Sequence, residues 1–102
     1  MESADSREGR DVAAGAEFDV VLTAPGGTGY RWELEVLSEG MTLLAEHPRT
    51  AAEGAAQRPG SPSSQRFLVR AGTESGAVVF QLRRPWEALP VRRHAVDVRV
   101  RR

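Results

Sequence analysis

Two histidines, a cluster of serines, a glycine run and a scatter of carboxylates are the residues from which this chain could build reactive chemistry. His47 falls at the end of one alternating segment and His94 at the start of the last, and neither has a partner at ligand spacing. Cysteine is absent, which excludes disulfides, thiolate catalysis and sulfur-based zinc sites. Ser61, Ser63 and Ser64 lie in a polar loop without the elbow motif or neighbouring base that a hydrolase nucleophile needs. Glu33, Glu35, Asp97 and Asp19 occupy the polar side of alternating segments, where a solvated strand face already accounts for them. Gly26-Gly27-Thr28-Gly29 has the composition of a phosphate cradle, but it leads into a strand, and a chain without lysine cannot complete a P-loop. The residues therefore point away from an enzyme, and no cofactor or metal is expected.

Aromatic residues on loops offer a different chemistry, that of contact. Phe80 to Glu87 begins as a strand, with Val78, Phe80 and Leu82 on one face and Val79, Gln81 and Arg83 on the other. Pro85 removes a backbone donor and ends the strand, which sets Trp86 on the following loop. A Trp there either folds back onto its own core or stands out as a binding anchor. Gly26 to Trp32 is a second stretch of the same kind, a glycine loop opening into Tyr30-Arg31-Trp32. Trp32 lies on the apolar side of its strand and is expected in the core.

These loops need strands to hold them, and the period-2 pattern supplies six. Glu17 to Thr23 places Phe18, Val20 and Leu22 on one face; Tyr30 to Leu37 places Tyr30, Trp32, Leu34 and Val36 on one face. Met41 to Glu46 is a shorter strand after the turn Ser38-Glu39-Gly40. Gln65 to Ala71 carries Phe67, Val69 and Ala71; Ala77 to Arg83 follows; His94 to Arg101 closes the chain with Val96, Val98 and Val100 inward. Residues 1–16 are charged, rich in Ala and Gly and without period, and read as a flexible tail, so the domain is expected over 17–102. Pro48 to Ser64 offers little to a core and reads as a long loop. Six short strands spaced by turns, with no helical period, predict an all-β chain built as an antiparallel β-sandwich, a small barrel being the competing architecture.

At 102 residues the chain is one domain. No apolar run approaches the roughly 20 residues that span a bilayer, and the polar start lacks the pattern of a signal peptide, so the expectation is a cytoplasmic protein with no membrane partner. All fourteen basic residues are Arg, and a GC-rich coding sequence explains that most simply. Zero net charge argues against a general grip on nucleic acid. Residues 1–54 nevertheless hold four Arg against eleven acids, and residues 55–102 hold ten against three. A sandwich pairing early with late strands would intermix these charges.

In this arrangement of loops the chain resembles the chagasin family of cysteine-peptidase inhibitors. That family's first loop reads Asn-Pro-Thr-Thr-Gly-Tyr followed closely by Trp, and Thr28-Gly29-Tyr30-Arg31-Trp32 matches its second half. Its last loop reads Arg-Pro-Trp, matched by Arg84-Pro85-Trp86. Its middle loop, Gly-x-Gly-Gly ahead of a Phe, corresponds in place to Gly60-Ser61-Pro62-Ser63 ahead of Phe67. Pro25-Gly26-Gly27 replaces Asn-Pro-Thr, and Pro62-Ser63 replaces the paired glycines. The resemblance implies an immunoglobulin-like sandwich acting as a monomer, and a reversible, non-covalent block of a papain-like cysteine peptidase by three loops at one end. The peptidase-binding residues it implies are Gly26, Gly27, Thr28, Gly29 and Tyr30, then Gly60, Ser61, Pro62, Ser63 and Ser64, then Arg84, Pro85 and Trp86. Two alternatives remain open at this stage. One is an interaction module on the same fold that does not inhibit. The other is a nucleic-acid or acidic-partner binder using Arg83, Arg84, Arg92, Arg93, Arg99, Arg101 and Arg102.

Overall fold

The computed structural model describes residues 6–24, 29–50 and 63–101. Seven strands run through them: β1 Ser6–Ala13, β2 Glu17–Ala24, β3 Arg31–Leu37, β4 Thr42–Thr50, β5 Ser63–Arg70, β6 Gly76–Arg83 and β7 Arg92–Arg101. Two sheets form, one in the order β1-β7-β6-β3 and the other β2-β5-β4. Their inner faces meet in a core of Phe18, Val20, Leu22, Trp32, Phe67, Val69, Val78, Phe80, Leu82, Val96 and Val98. Phe67 and Phe80 meet across the two sheets with ring centroids 4.6 Å apart and planes tilted by 43°. Alternation in the sequence puts each of these side chains on the buried face, because successive residues of a strand point to opposite sides. The architecture is the all-β sandwich that the pattern predicts.

Three differences are instructive. The expected tail contains a strand: β1 lies parallel to β7 from Ser6 opposite His94 to Ala13 opposite Arg101, the one parallel pairing in an otherwise antiparallel set. Its inward side chains are mostly polar, which is why no apolar period announces it. Glu8 accepts from Arg10 at 3.1 Å and meets His94 Nε2 at 3.0 Å, the Arg10 guanidinium lies 5.9 Å from the Phe18 ring centroid, and Val12 packs on the core. Ser6 Oγ is 2.6 Å from the other ring nitrogen of His94. The chain then crosses to the second sheet through Gly15, whose positive φ of 77° suits glycine.

The second difference is local. The register of β3 shifts between Leu34 and Val36, so Leu37 takes the inward place and Val36 turns out to solvent at 49% exposure. β4 shifts likewise between Leu43 and Ala45 and exposes Leu44. The third concerns the long loop, because β4 continues to Thr50 and β5 begins at Ser63, which leaves residues 51–62 between them. Pro48 falls within β4, which is an edge strand, the part of a sheet to which Pro is normally confined.

The opposed charges of the two halves do intermix. Arg66 pairs with Asp19 at 2.9 Å, Arg70 with Glu17 at 3.0 Å, Arg83 with Glu33 at 2.8 Å and Arg93 with Glu35 at 2.8 Å. Arg7 and Asp97 complete the pattern with the signs exchanged, at 2.7 Å. Such exposed pairs add little to stability singly, but they explain a charge asymmetry that needs no nucleic acid.

Candidate binding end of the sandwich

Register places three connections at one end. Ala24, the last residue of β2, pairs with Ser63, the first of β5, and Ser63 also pairs with Thr50, the last of β4. In the other sheet Arg31, the first residue of β3, pairs with Arg83, the last of β6, and Leu82 pairs with Arg92 at the start of β7. The β2–β3, β4–β5 and β6–β7 connections therefore all leave from these paired ends.

Trp32 and Gln65 tie the two sheets together beneath them. Gln65 is buried, at 4% exposure, on the same face of β5 as Phe67 and Val69. Its amide oxygen accepts from the Trp32 backbone N–H at 2.7 Å, and its amide nitrogen donates to the Trp32 carbonyl at 2.8 Å. A strand's backbone is thus paired by a side chain from the opposite sheet. The Trp32 indole, expected in the core and 4% exposed, donates to the carbonyl of Thr23 at 3.0 Å. These three bonds fix the start of β3 and the end of β2, the two stems of the first loop.

The last loop is held by polar contacts at both ends. Glu87 N–H donates to the Arg84 carbonyl at 3.0 Å, closing a tight turn around Pro85 and Trp86. The Glu87 carboxylate accepts from Arg84 Nη2 at 2.7 Å, and the Glu87 carbonyl accepts from Arg83 Nη1 at 2.6 Å. Arg83 Nε in turn donates to Glu33 at 2.8 Å, as does Gln81. At the far end Val91 N–H donates to the Leu82 carbonyl at 2.9 Å. The hydrogen bond and charge of Arg84 hold the Glu87 carboxyl below its usual range, and Arg83 does the same for Glu33; in both cases partial burial opposes the shift.

On this frame Trp86 is 71% exposed, so it does not fold back into the core. Its ring lies against Gly29, where an added Cβ would stand 2.9 Å from Trp86 Cη2. Arg84 sits between aromatic partners, its guanidinium 4.6 Å from the Tyr30 ring centroid and 5.5 Å from that of Trp86. Pro85 borders a cleft of about 380 Å³ with Arg31, Trp32, Glu33, Glu46 and Arg83. Of the residues singled out from sequence, Gly29, Tyr30, Arg84 and Trp86 are thus brought into one cluster, with Pro85 beside it. Ser63 and Ser64 start β5 rather than lie in a loop: pairing with Ala24 and Thr23 on one side and with Thr50 and Arg49 on the other recruits polar residues that alternation does not mark. Gly26, Gly27, Thr28, Gly60, Ser61 and Pro62 lie outside the described residues.

Sequence reasoning did not single out Gln65 or Glu87. Gln65 was recoverable from parity, two residues before Phe67, and Glu87 from its spacing of three after Arg84. Among the described residues no group of three or more His, Asp or Glu is placed to hold a metal ion.

Solved structures with this fold include the cysteine protease inhibitor EhICP2 from Entamoeba histolytica, at a TM-score of 0.69 and 19% identity over 95% of this chain and 89% of that one. Amebosin in solution aligns at 0.71 and 22% over 94% and 98%. PbICP-C, solved in complex with falcipain-2, aligns at 0.66 and 18% over 94% and 88%. At these identities the likeness is one of fold. A search of curated proteins finds no match. The sequence model of the chagasin family peptidase inhibitors, I42, matches residues 11–100. That match covers nearly the whole chain, from within β1 to within β7, and the chain therefore belongs to the chagasin family, a family of peptidase inhibitors and not of enzymes.

Proposed function

We propose that the protein is a reversible, non-covalent inhibitor of papain-like cysteine peptidases, which seats the loops at one end of its sandwich in the substrate cleft. The observation that carries this reading is Trp86, a large apolar ring left 71% exposed on a turn held in place by hydrogen bonds and an ion pair. Burying such a ring in a partner contributes roughly 2–4 kcal/mol by area. The turn is already ordered, so little of that gain is offset on binding. An interface of about 800 Å² per partner with one such anchor is compatible with nanomolar affinity. The family membership supports the inhibitory activity, and PbICP-C, a chain of the same fold, is found on falcipain-2. A side-on wedge of this kind presents no scissile bond, so the block is stoichiometric and reversible.

The protein acts in this account as a cytoplasmic monomer, without nucleic-acid, membrane or cofactor partners. Titration against active papain and a cathepsin-L-like enzyme tests the reading. Stoichiometric inhibition that reverses on dilution is the expected result. No inhibition at micromolar concentration would instead assign the chain to the non-inhibitory interaction modules, with the replaced Pro25-Gly26-Gly27 and Pro62-Ser63 segments as the first place to look for the cause.

A further inference from the structure

Six large apolar side chains are exposed among the described residues: Val21, Val36, Leu44, Trp86, Leu89 and Val91. Val36 and Leu44 stand at the register shifts of β3 and β4, and Val21 lies on the outer face of β2. The other three share the single connection between β6 and β7. Leu89 is 78% exposed and Val91 52%, and neither a bulge nor a strand face accounts for them.

Ala88-Leu89-Pro90-Val91 carries no charge, and the one charge between it and Trp86, Glu87, is bound to Arg84 at 2.7 Å. Trp86, Leu89 and Val91 therefore follow one another along one connection with no unpaired charge between them. That connection is held at both ends, by the carbonyl of Glu87 on Arg83 and by the Val91 N–H on Leu82. Exposed apolar residues on a fixed loop, next to an anchor, have the character of an interface centre rather than of a solvated rim.

We infer that Leu89, in the same connection as Trp86, is a second apolar anchor for the same peptidase that receives Trp86, and that it meets an apolar patch on the peptidase surface bordering the cleft. The inference rests on the inhibitory reading above and extends the contact beyond the Arg84-Pro85-Trp86 turn. Replacing Leu89 with Ser removes the apolar contact at an exposed position, so the thermal transition stays in place. Its inhibition constant rises about tenfold, chiefly through faster dissociation, while Leu89→Met keeps most of the parent affinity.

The test measures inhibition constants and dissociation rates of the parent chain, Leu89→Ser, Leu89→Met and Trp86→Ala against papain and a cathepsin-L-like peptidase. Weakened inhibition by folded Leu89→Ser against either enzyme, with Leu89→Met near the parent, supports the second anchor. If Leu89→Ser inhibits both enzymes as well as the parent while Trp86→Ala does not, the second anchor is overturned and the inhibitory reading stands. A parent chain that inhibits neither enzyme overturns both.

Discussion

The indole of Trp86 rests on Gly29, so the last loop and the first are in direct contact: a Cβ at position 29 would lie 2.9 Å from Trp86 Cη2. Gly29 also has a φ of 80°, a conformation that an L residue adopts at a cost of about 1–2 kcal/mol. Gly29→Ala is thus expected to strain the first loop and push the ring aside at once. The melting transition should fall by a few degrees, the tryptophan emission should shift, and the inhibition constant should rise about tenfold or more. Emission spectra and inhibition assays on the same preparation check this.

Gln65 carries a different kind of burden. Replacing it with Leu fills the volume but leaves the Trp32 N–H and carbonyl without their partners in the buried layer. Each unsatisfied group costs about 1–3 kcal/mol, so urea unfolding should show a loss of roughly 2–6 kcal/mol in Gln65→Leu. An unchanged urea midpoint would mean that water reaches this end of the sandwich and replaces the amide.

Acid should loosen the protein through carboxylates whose ordinary ionisation is displaced downward. Asp97 is held low by its hydrogen bond from Arg7 and Glu87 by that from Arg84; Glu33 is held low by Arg83. For Glu8, burial is the largest influence and pushes upward, but His94 and Arg10 together outweigh it, and the net shift is down. A folded-state value below the unfolded one means that these groups stabilise the fold fully above the unfolded value, near pH 4, and lose that contribution as pH falls through the folded value. Urea midpoints should therefore hold steady from about pH 7 to pH 5 as far as these four groups are concerned, and drop below about pH 4. Glu8→Gln and Asp97→Asn should each flatten that drop.

Removing residues 1–13 takes away β1 and exposes the backbone edge of β7. The shortened chain should be less stable by about 2 kcal/mol or more, from the lost ladder and the half-buried Val12. It should also aggregate more readily, because a bare edge recruits other strands. Equal stability would mean that β1 is the loose tail its composition suggests.

How much of this was legible in the sequence depends on which face of a strand faced what. Wherever one face packs on the other sheet, alternation identified the strand and its buried residues, as with Phe18, Val20, Trp32, Phe80 and Val96. β1 escaped because it closes the side of the sandwich with Glu8 and Arg10, whose burial is made tolerable by His94 and by the Phe18 ring. Val36 was misplaced because a single extra residue in β3 inverts every face beyond it, and periodicity carries no mark of where that happens. The Arg84-Pro85-Trp86 turn was legible as a motif, but its order was not. That order depends on Glu87, Arg83 and Glu33, which meet only once β3 and β6 are paired.

The most direct test is the comparison of the parent chain with Trp86→Ala against papain, with the thermal transition of each recorded alongside. Trp86 stands outside the core, so the variant should melt with the parent while its inhibition constant rises by tens of fold, about 2 kcal/mol or more of lost binding. A variant that inhibits as tightly as the parent, or one that no longer folds, would contradict the assignment of Trp86 as the anchor.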